Sequence, residues 1–171
     1  MNYYIADTHF GHDNIRRFSN RPFDSVEEMD KTIIENWNKK VKPDDDVYIL
    51  GDFAYKGKDY RYYLKQLNGH KHLVIGNHDT KTVNKSKGTN CFVEIENIIE
   101  VNDNGKRIVL CHYPLVEWNG YYNGAYHFYG HVHNTFHNNT TCYARDMKNA
   151  YNVGVDVIGF APCTFEEIVG Y

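Results

Sequence analysis

The sequence predicts an α/β protein in which mixed sheets are flanked by helices, and three observations carry that expectation. Short runs rich in Val, Ile and Tyr, bounded by Gly and Asn, recur along the chain and read as buried strands. Two stretches between the first three runs carry apolar residues at helical spacing. From about Phe92 onward the chain offers mostly strands joined by short polar connections.

Taken in order, residues 2–6 (NYYIA) form the first predicted strand. A helix follows, because Val26, Met29, Ile33, Ile34, Trp37 and Val41 fall on one helical face, and Ser25 and Glu28 stand at the spacing of a capping box. Residues 47–50 are the second strand. Tyr60, Tyr63, Leu64 and Leu67 give a second helix with Gly69 as its stop, and residues 72–75 the third strand. The opening half therefore reads β-α-β-α-β. The polar stretch 80–90 (TKTVNKSKGTN) reads as a surface loop. Strands are expected again at 108–111, 126–129 and 151–155, and Thr164 with Glu167 caps a last turn of helix.

A length of 171 residues suits one core, so residues 1–171 are expected to form a single domain. With 19 basic and 22 acidic residues, net −3, the chain lacks the cationic footprint of a duplex binder, and long nucleic acid is not an expected partner. Cys91, Cys111, Cys142 and Cys163 are too far apart for paired zinc ligands or a dense disulfide framework, which points to reduced thiols and the cytoplasm. No apolar run approaches the ~20 residues of a membrane span. Ten histidines and fifteen tyrosines are the compositional oddity.

The histidines collect where strands end. The stretch ADTHFGHD places Asp7, His9, His12 and Asp13 just past the first strand, and residues two apart on an extended segment point to one side. VYILGD ends in Asp52, HLVIGNHD in Asn77, His78 and Asp79, RIVLCHYP carries His112, and YHFYGHVH carries His131 and His133. Loops at the carboxyl ends of strands converge on one crevice, so these five stretches can share one site. Carboxylate, imidazole and amide donors without thiolate suit hard or borderline divalent metals. Each piece alone has an ordinary structural use, since Gly-Asp is a common turn and a lone His is readily satisfied by a carbonyl. Arg16, Arg17 and Arg21 follow the first loop closely, and guanidinium groups fork onto phosphate oxygens. The aromatic stretch 118–130 (WNGYYNGAYHFYG) is a candidate pocket wall. His70, His72, His127 and His137 fall outside these blocks and are assigned to strands or surface.

The succession D-x-H, G-D, G-N-H-D, H and G-H-x-H resembles the calcineurin-like metallophosphoesterase superfamily, and the tail YNVGVDVIGFAPCTFEEI is similar to that of small stand-alone bacterial and phage members. The resemblance implies a four-layer α/β/β/α sandwich of two mixed β-sheets flanked by helices. It also implies a dinuclear centre in which Asp7, His9 and His133 hold one divalent ion, Asn77, His112 and His131 the other, and Asp52 bridges both. Mn²⁺ leads among the candidate metals, with Fe, Zn²⁺, Co²⁺, Ni²⁺ and Mg²⁺ as alternatives. Such a centre carries about +1 net charge once a hydroxide bridges the ions, and it attracts a phosphate oxygen.

The implied reaction is hydrolysis of a small phosphoester by the bridging hydroxide. A phosphodiester of the nucleotide or cyclic nucleotide type is favoured over a monoester, because no cap domain is recognisable. His78 is implied as the catalytic group at the leaving oxygen; Asp79 is a candidate for orienting it or a turn residue, and His12 and Arg17 are candidate substrate-binding residues by their position and chemistry. A non-catalytic protein-binding scaffold of the same fold is the reading from another class, and the presence of His78 weighs against it.

Overall fold

The computed structural model describes residues 1–55, 59–85, 88–135 and 139–170. In chain order the elements are β1 (Asn2–Ile5), α1 (Ile15–Phe18), α2 (Val26–Lys40), β2 (Asp46–Leu50), α3 (Arg61–Leu64), β3 (His70–Val74), α4 (Thr80–Asn84), β4 (Ile95–Glu96), β5 (Ile98–Asp103), β6 (Lys106–Cys111), β7 (Tyr126–Tyr129), α5 (Asn139–Asp146), β8 (Ala150–Asn152), α6 (Val155–Ile158) and α7 (Phe165–Val169). They form two four-stranded sheets, β1-β2-β3-β4 and β5-β6-β7-β8. No helix among the described residues is long and apolar enough to cross a membrane.

Alternation along β1 sets the layers. The Tyr3 hydroxyl donates to the Lys40 carbonyl at the end of α2 (3.1 Å), whereas Tyr4 points the other way. Its hydroxyl donates to Asp103 of β5 (2.9 Å), and its ring meets Phe128 of β7 edge-on at 4.9 Å. One core therefore runs between the sheets, joining Tyr4, Leu50 and Val74 to Ile108, Leu110 and Phe128, while Ile5, Ile49 and Leu73 face α2. Met29, Ile33 and Trp37 of α2 cover the outside of the first sheet. Trp118 and Ala125 cover Val109 on the outside of the second, and Ala144 of α5 packs with Tyr129. The result is the expected α/β/β/α order.

The first sheet departs from the expected mixed character. Its three strand pairings are all parallel, and its antiparallel element is a single bridge, Tyr4 to Cys163, on the β1 edge. Helical crossovers between β1, β2 and β3 make parallel pairing the natural outcome. The second sheet is mixed, with β5 and β6 antiparallel and the rest parallel. The β5–β6 turn is Asn104-Gly105, both at positive φ (50° and 80°), the conformation of a two-residue hairpin loop.

Several local expectations are corrected. The second helix stops at Leu64, and Gly69 (φ 87°) turns the chain into β3 rather than capping α3. Residues 80–84 of the expected loop form α4, and 86–87 lie outside the described residues, as does His137. The last strand ends at Asn152 and Val155 opens α6. Ser25 caps α2 by accepting from Glu28 N, but the Glu28 carboxylate accepts from Asp24 N (2.7 Å), so the box is not reciprocal. The Thr164–Glu167 box is complete.

At the carboxyl ends the sheets are stitched together. Ala6 N donates to Val153 O (2.8 Å), Val155 N to Ala6 O (3.0 Å) and Val153 N to Tyr129 O (2.8 Å), which wedges the segment after β8 between the ends of β1 and β7. Phe128 is the core residue that touches both sheets, so Phe128→Ala is expected to cost about 3–5 kcal/mol. A shift below about 1 kcal/mol in urea unfolding would show that the sheets do not share a core.

Candidate metal centre

The strand ends turn sharply into the site. Asp7, His9, Asp52, His131 and His133 all sit at positive φ, between 48° and 69°. Such left-handed residues are costly outside glycine and persist where the surroundings fix them. Here backbone bonds fix them: Asp7 N donates to Gly51 O (3.0 Å), His9 N to Asp52 O (2.9 Å) and Gly130 N to His112 O (3.0 Å). Asp7 and His9 thus converge through two left-handed turns rather than through strand alternation. Glycine precedes the ligand stretches for a steric reason. A Cβ on Gly76 would lie 2.4 Å from Asp52 Oδ1, and one on Gly130 would lie 2.6 Å from Asp7 Oδ2.

Around these turns the side chains meet. Asp52 Oδ2 faces His9 Nε2 at 3.6 Å, His112 Nε2 at 3.7 Å and His78 Nε2 at 3.9 Å. Donor atoms of Asp7, His9 and His133 lie within 4.8 Å of one another, as do those of Asp7, Asp52 and His112. Asn77 Oδ1 is 3.1 Å from His112 Nε2. The His131 ring stands 5.1 Å from that of His112 on the exposed side, and its backbone N–H donates to Asp7 Oδ2 (2.9 Å).

The electrostatics of the cluster call for a cation. Asp7 Oδ1 and His9 Nε2 are buried without a hydrogen-bond partner, a costly state for polar atoms. Burial, with the Asp52 carboxylate adding to it, pushes the Asp7 carboxyl up to about 7, and burial raises that of Asp52 as well. Burial drives His9 well below the usual imidazole range and lowers His112, which leaves neutral rings with free lone pairs. A divalent ion answers all of these at once, and the oxygen and nitrogen donors fit it.

Other residues hold the ligands in place. His133 Nδ1 pairs with Asp156 Oδ2 (2.7 Å), which directs the other ring nitrogen inward. Burial would lower the His133 pKa, but that hydrogen bond and the charge of Asp7 raise it. Asp156 is held in turn by Arg21, through Nε to Oδ1 (2.7 Å) and Nη2 to Oδ2 (3.1 Å), and Arg21 also donates to the carbonyls of Asp7 and Thr8. Sequence reading missed Asp156, although it is the one charge in the run YNVGVDVIGF. Arg21, a phosphate candidate by proximity, is buried and spent on this network.

Asp79 differs from its expected role. Its buried carboxylate accepts from the backbone N–H groups of Asp52 (2.7 Å), Gly76 (2.8 Å) and Phe53 (3.1 Å) and from the Tyr60 hydroxyl, and none of these bonds goes to the His78 ring. It braces the Gly51–Asp52 turn against the Gly76–Asn77 turn. His78 is tied instead through its backbone N–H to Asp52 Oδ1 (2.8 Å).

His12 lies 3.4 Å from His9, nitrogen to nitrogen, and faces an open cleft of about 540 Å³ that also includes His78 and His133. A second cleft of about 390 Å³ opens beside His131 and Tyr113. Arg17 is exposed on α1, and Arg16 is engaged with Asp13 and the Phe23 carbonyl. The 118–130 stretch does not wall the site: Trp118 is 6% exposed and donates to the Ala125 carbonyl on the far face of the second sheet.

Comparison with known proteins agrees with this geometry. The chain is 37% identical over 170 residues to the uncharacterised protein MJ1445 of Methanocaldococcus jannaschii, a match covering 98% of this chain and 88% of that one. It is 36% identical over 81 residues to the gene 66 protein of Mycobacterium phage L5, covering 45% of this chain and 39% of the phage protein. The crystal structure of AQ665, a protein of unknown function from Aquifex aeolicus, superposes with a TM-score of 0.73 at 28% identity, covering 95% and 94% of the two chains. The model of the calcineurin-like phosphoesterase family matches residues 3–123, a span that holds every candidate ligand except His131 and His133. The chain belongs to the calcineurin-like phosphoesterase family.

Proposed function

We propose that the protein is a phosphodiesterase acting on a small phosphorylated molecule of the nucleotide type, with two divalent cations, Mn²⁺ foremost, in its centre. The observation that carries this reading is the position of Asp52 Oδ2, which faces His9 on one side and His112 on the other at nearly equal distance. A carboxylate so placed could be shared by two ions. Asp7, His9 and His133 then hold one of them, and Asn77, His112 and His131 the other. Two such ions, when bound, lower the pKa of a water and offset charge building on the phosphoryl oxygens.

The chain's own groups do the rest. His78 is half-buried at the mouth of the larger cleft, where its ring can give a proton to the departing oxygen. Its backbone bond to Asp52 keeps it in register with the shared carboxylate. Asp79 acts on both turns from behind and is a positioning residue. His12 lines the path of the substrate, and Arg17 stands near enough in sequence to meet an anionic substrate from solvent. A diester has two organic arms, and two neighbouring clefts beside the centre suit it better than a monoester. Net charge −3 favours a small substrate over duplex nucleic acid, and four widely spaced cysteines suit the cytoplasm.

Chelator-stripped protein restored with Mn²⁺ is expected to hydrolyse bis-p-nitrophenyl phosphate faster than p-nitrophenyl phosphate. His78→Ala is expected to lose about 10²–10⁴-fold in turnover with both metals retained, whereas Asp52→Asn loses metal as well. Full metal occupancy and normal rates in Asp52→Asn would sink the shared-ligand assignment.

Asp156→Asn is expected to weaken one of the two ions by about 10–100-fold in a chelator competition. Equal affinity for both ions in that variant and in the parent would remove Asp156 from the centre.

The raised Asp7 carboxyl gives a pH signature. Its folded value of about 7 exceeds the unfolded carboxylate value, so ionisation destabilises the metal-free fold as pH rises through that interval. Metal-free Asp7→Asn should therefore melt roughly 5 °C above the parent at pH 7, with the gap closing toward pH 4. With Mn²⁺ the order should reverse. A pH-independent gap in thermal melts would refute the assignment of that shift to Asp7.

A further inference from the structure

The two clefts beside the centre differ in character. The larger leads out from His9, His78 and His133, with Ile15 as its floor and Phe18 and Tyr55 as its walls. Among its described lining residues there is no carboxylate, lysine or arginine, and Ser19 and Thr135 supply hydroxyls at its edge. The smaller cleft is bounded by Tyr113 and Pro114 and by the hydroxyls of Thr135 and Thr140.

Phe18 is 76% exposed and Tyr55 41% exposed. The core does not need Phe18, because Ile15 is the buried residue of α1. Tyr55 lies over His12, ring centroids 4.6 Å apart at 38°, and His12 is 5.2 Å from the His9 ring and 5.8 Å from that of His78. A file of rings thus runs from the candidate ligands to a half-open tyrosine, and the exposed phenyl group of Phe18 lines the same cleft.

We propose that this cleft is the subsite for a planar heteroaromatic ring carried by the scissile phosphate, a nucleobase, and that Tyr55 and Phe18 select it. The inference rests on the phosphoesterase reading above and adds the place and the side chains that would hold the base. Aromatic faces stack any base with little sequence preference, and a volume of about 540 Å³ falls within the range of small-molecule sites. The lack of charged groups other than imidazole among the described lining residues favours an uncharged flat group. The hydroxyl-lined smaller cleft suits the other, more polar arm. Two exposed rings are too little surface for a stable contact between copies of the chain.

The test is calorimetric titration of the Mn²⁺-loaded full chain with adenosine 5′-monophosphate and with inorganic phosphate. The parent should bind the nucleotide about tenfold or more tighter than phosphate. Tyr55→Ala and Phe18→Ala should each remove most of that advantage while phosphate affinity changes less than about twofold, and Tyr55→Phe should keep it. Phosphate binding with no preference for the nucleotide, or a preference that survives both alanine variants, overturns this inference alone. A dimer in sedimentation that Phe18→Ala abolishes, without nucleotide preference, does so too and assigns the patch to self-association. Failure of both ligands to bind, with no hydrolysis of either nitrophenyl ester, overturns the phosphoesterase reading and this inference with it.

Discussion

Two carboxylates buried beside neutral imidazoles are the constraint around which this protein is organised. Asp7 and Asp52 are almost wholly removed from water, and each keeps like charge close to the other. Apolar packing cannot supply what they lack, because the deficit is one of charge and of unpartnered polar atoms. Much of the surrounding structure holds the ligands against their own repulsion: left-handed turns pinned by cross-strand bonds, glycines that admit the carboxylates, and the Asp79 and Asp156 braces.

The two braces work differently. Asp79 is acceptor to three backbone N–H groups and one hydroxyl, so it fixes loops and leaves the rings alone. Asp156 touches a ligand ring directly and is itself neutralised by buried Arg21. A buried ion pair of this kind is weak evidence for stability and better understood as a device for fixing geometry.

Much of this was legible in the sequence because periodicity and turn chemistry are local. The apolar face of α2, the Thr164 cap and the three strands of the first half followed from spacing alone, whereas their all-parallel pairing did not. The five blocks whose side chains meet at the candidate centre were legible as a set, although each alone is commonplace. What escaped was non-local. Asp79 adjoins His78 in sequence, yet its carboxylate turns to Asp52, 27 residues away. Asp156 pairs with Arg21 across 135 residues, a contact no window reports. Strand β5 escaped for another reason: its alternation is short, Ile99 and Val101 among polar residues, and only the Asn104-Gly105 turn marks it as half of a hairpin. The aromatic stretch 118–130 misled because Trp and Tyr read alike whether they serve a core or a pocket.

The seam between the sheets bears on the order of events as the chain folds. Ala6 finds its partners in Val153 and Val155, so the wall beside Asp7 is closed by residues from the last fifth of the chain. Contacts of such long separation form late, since loop closure opposes them until local structure is in place. A ribosome-bound chain that has not yet released these residues can build the first sheet and its helices, but it has no finished cavity around Asp7. The pocket that Asp7 and His133 share is therefore finished only when the end of the chain is in place.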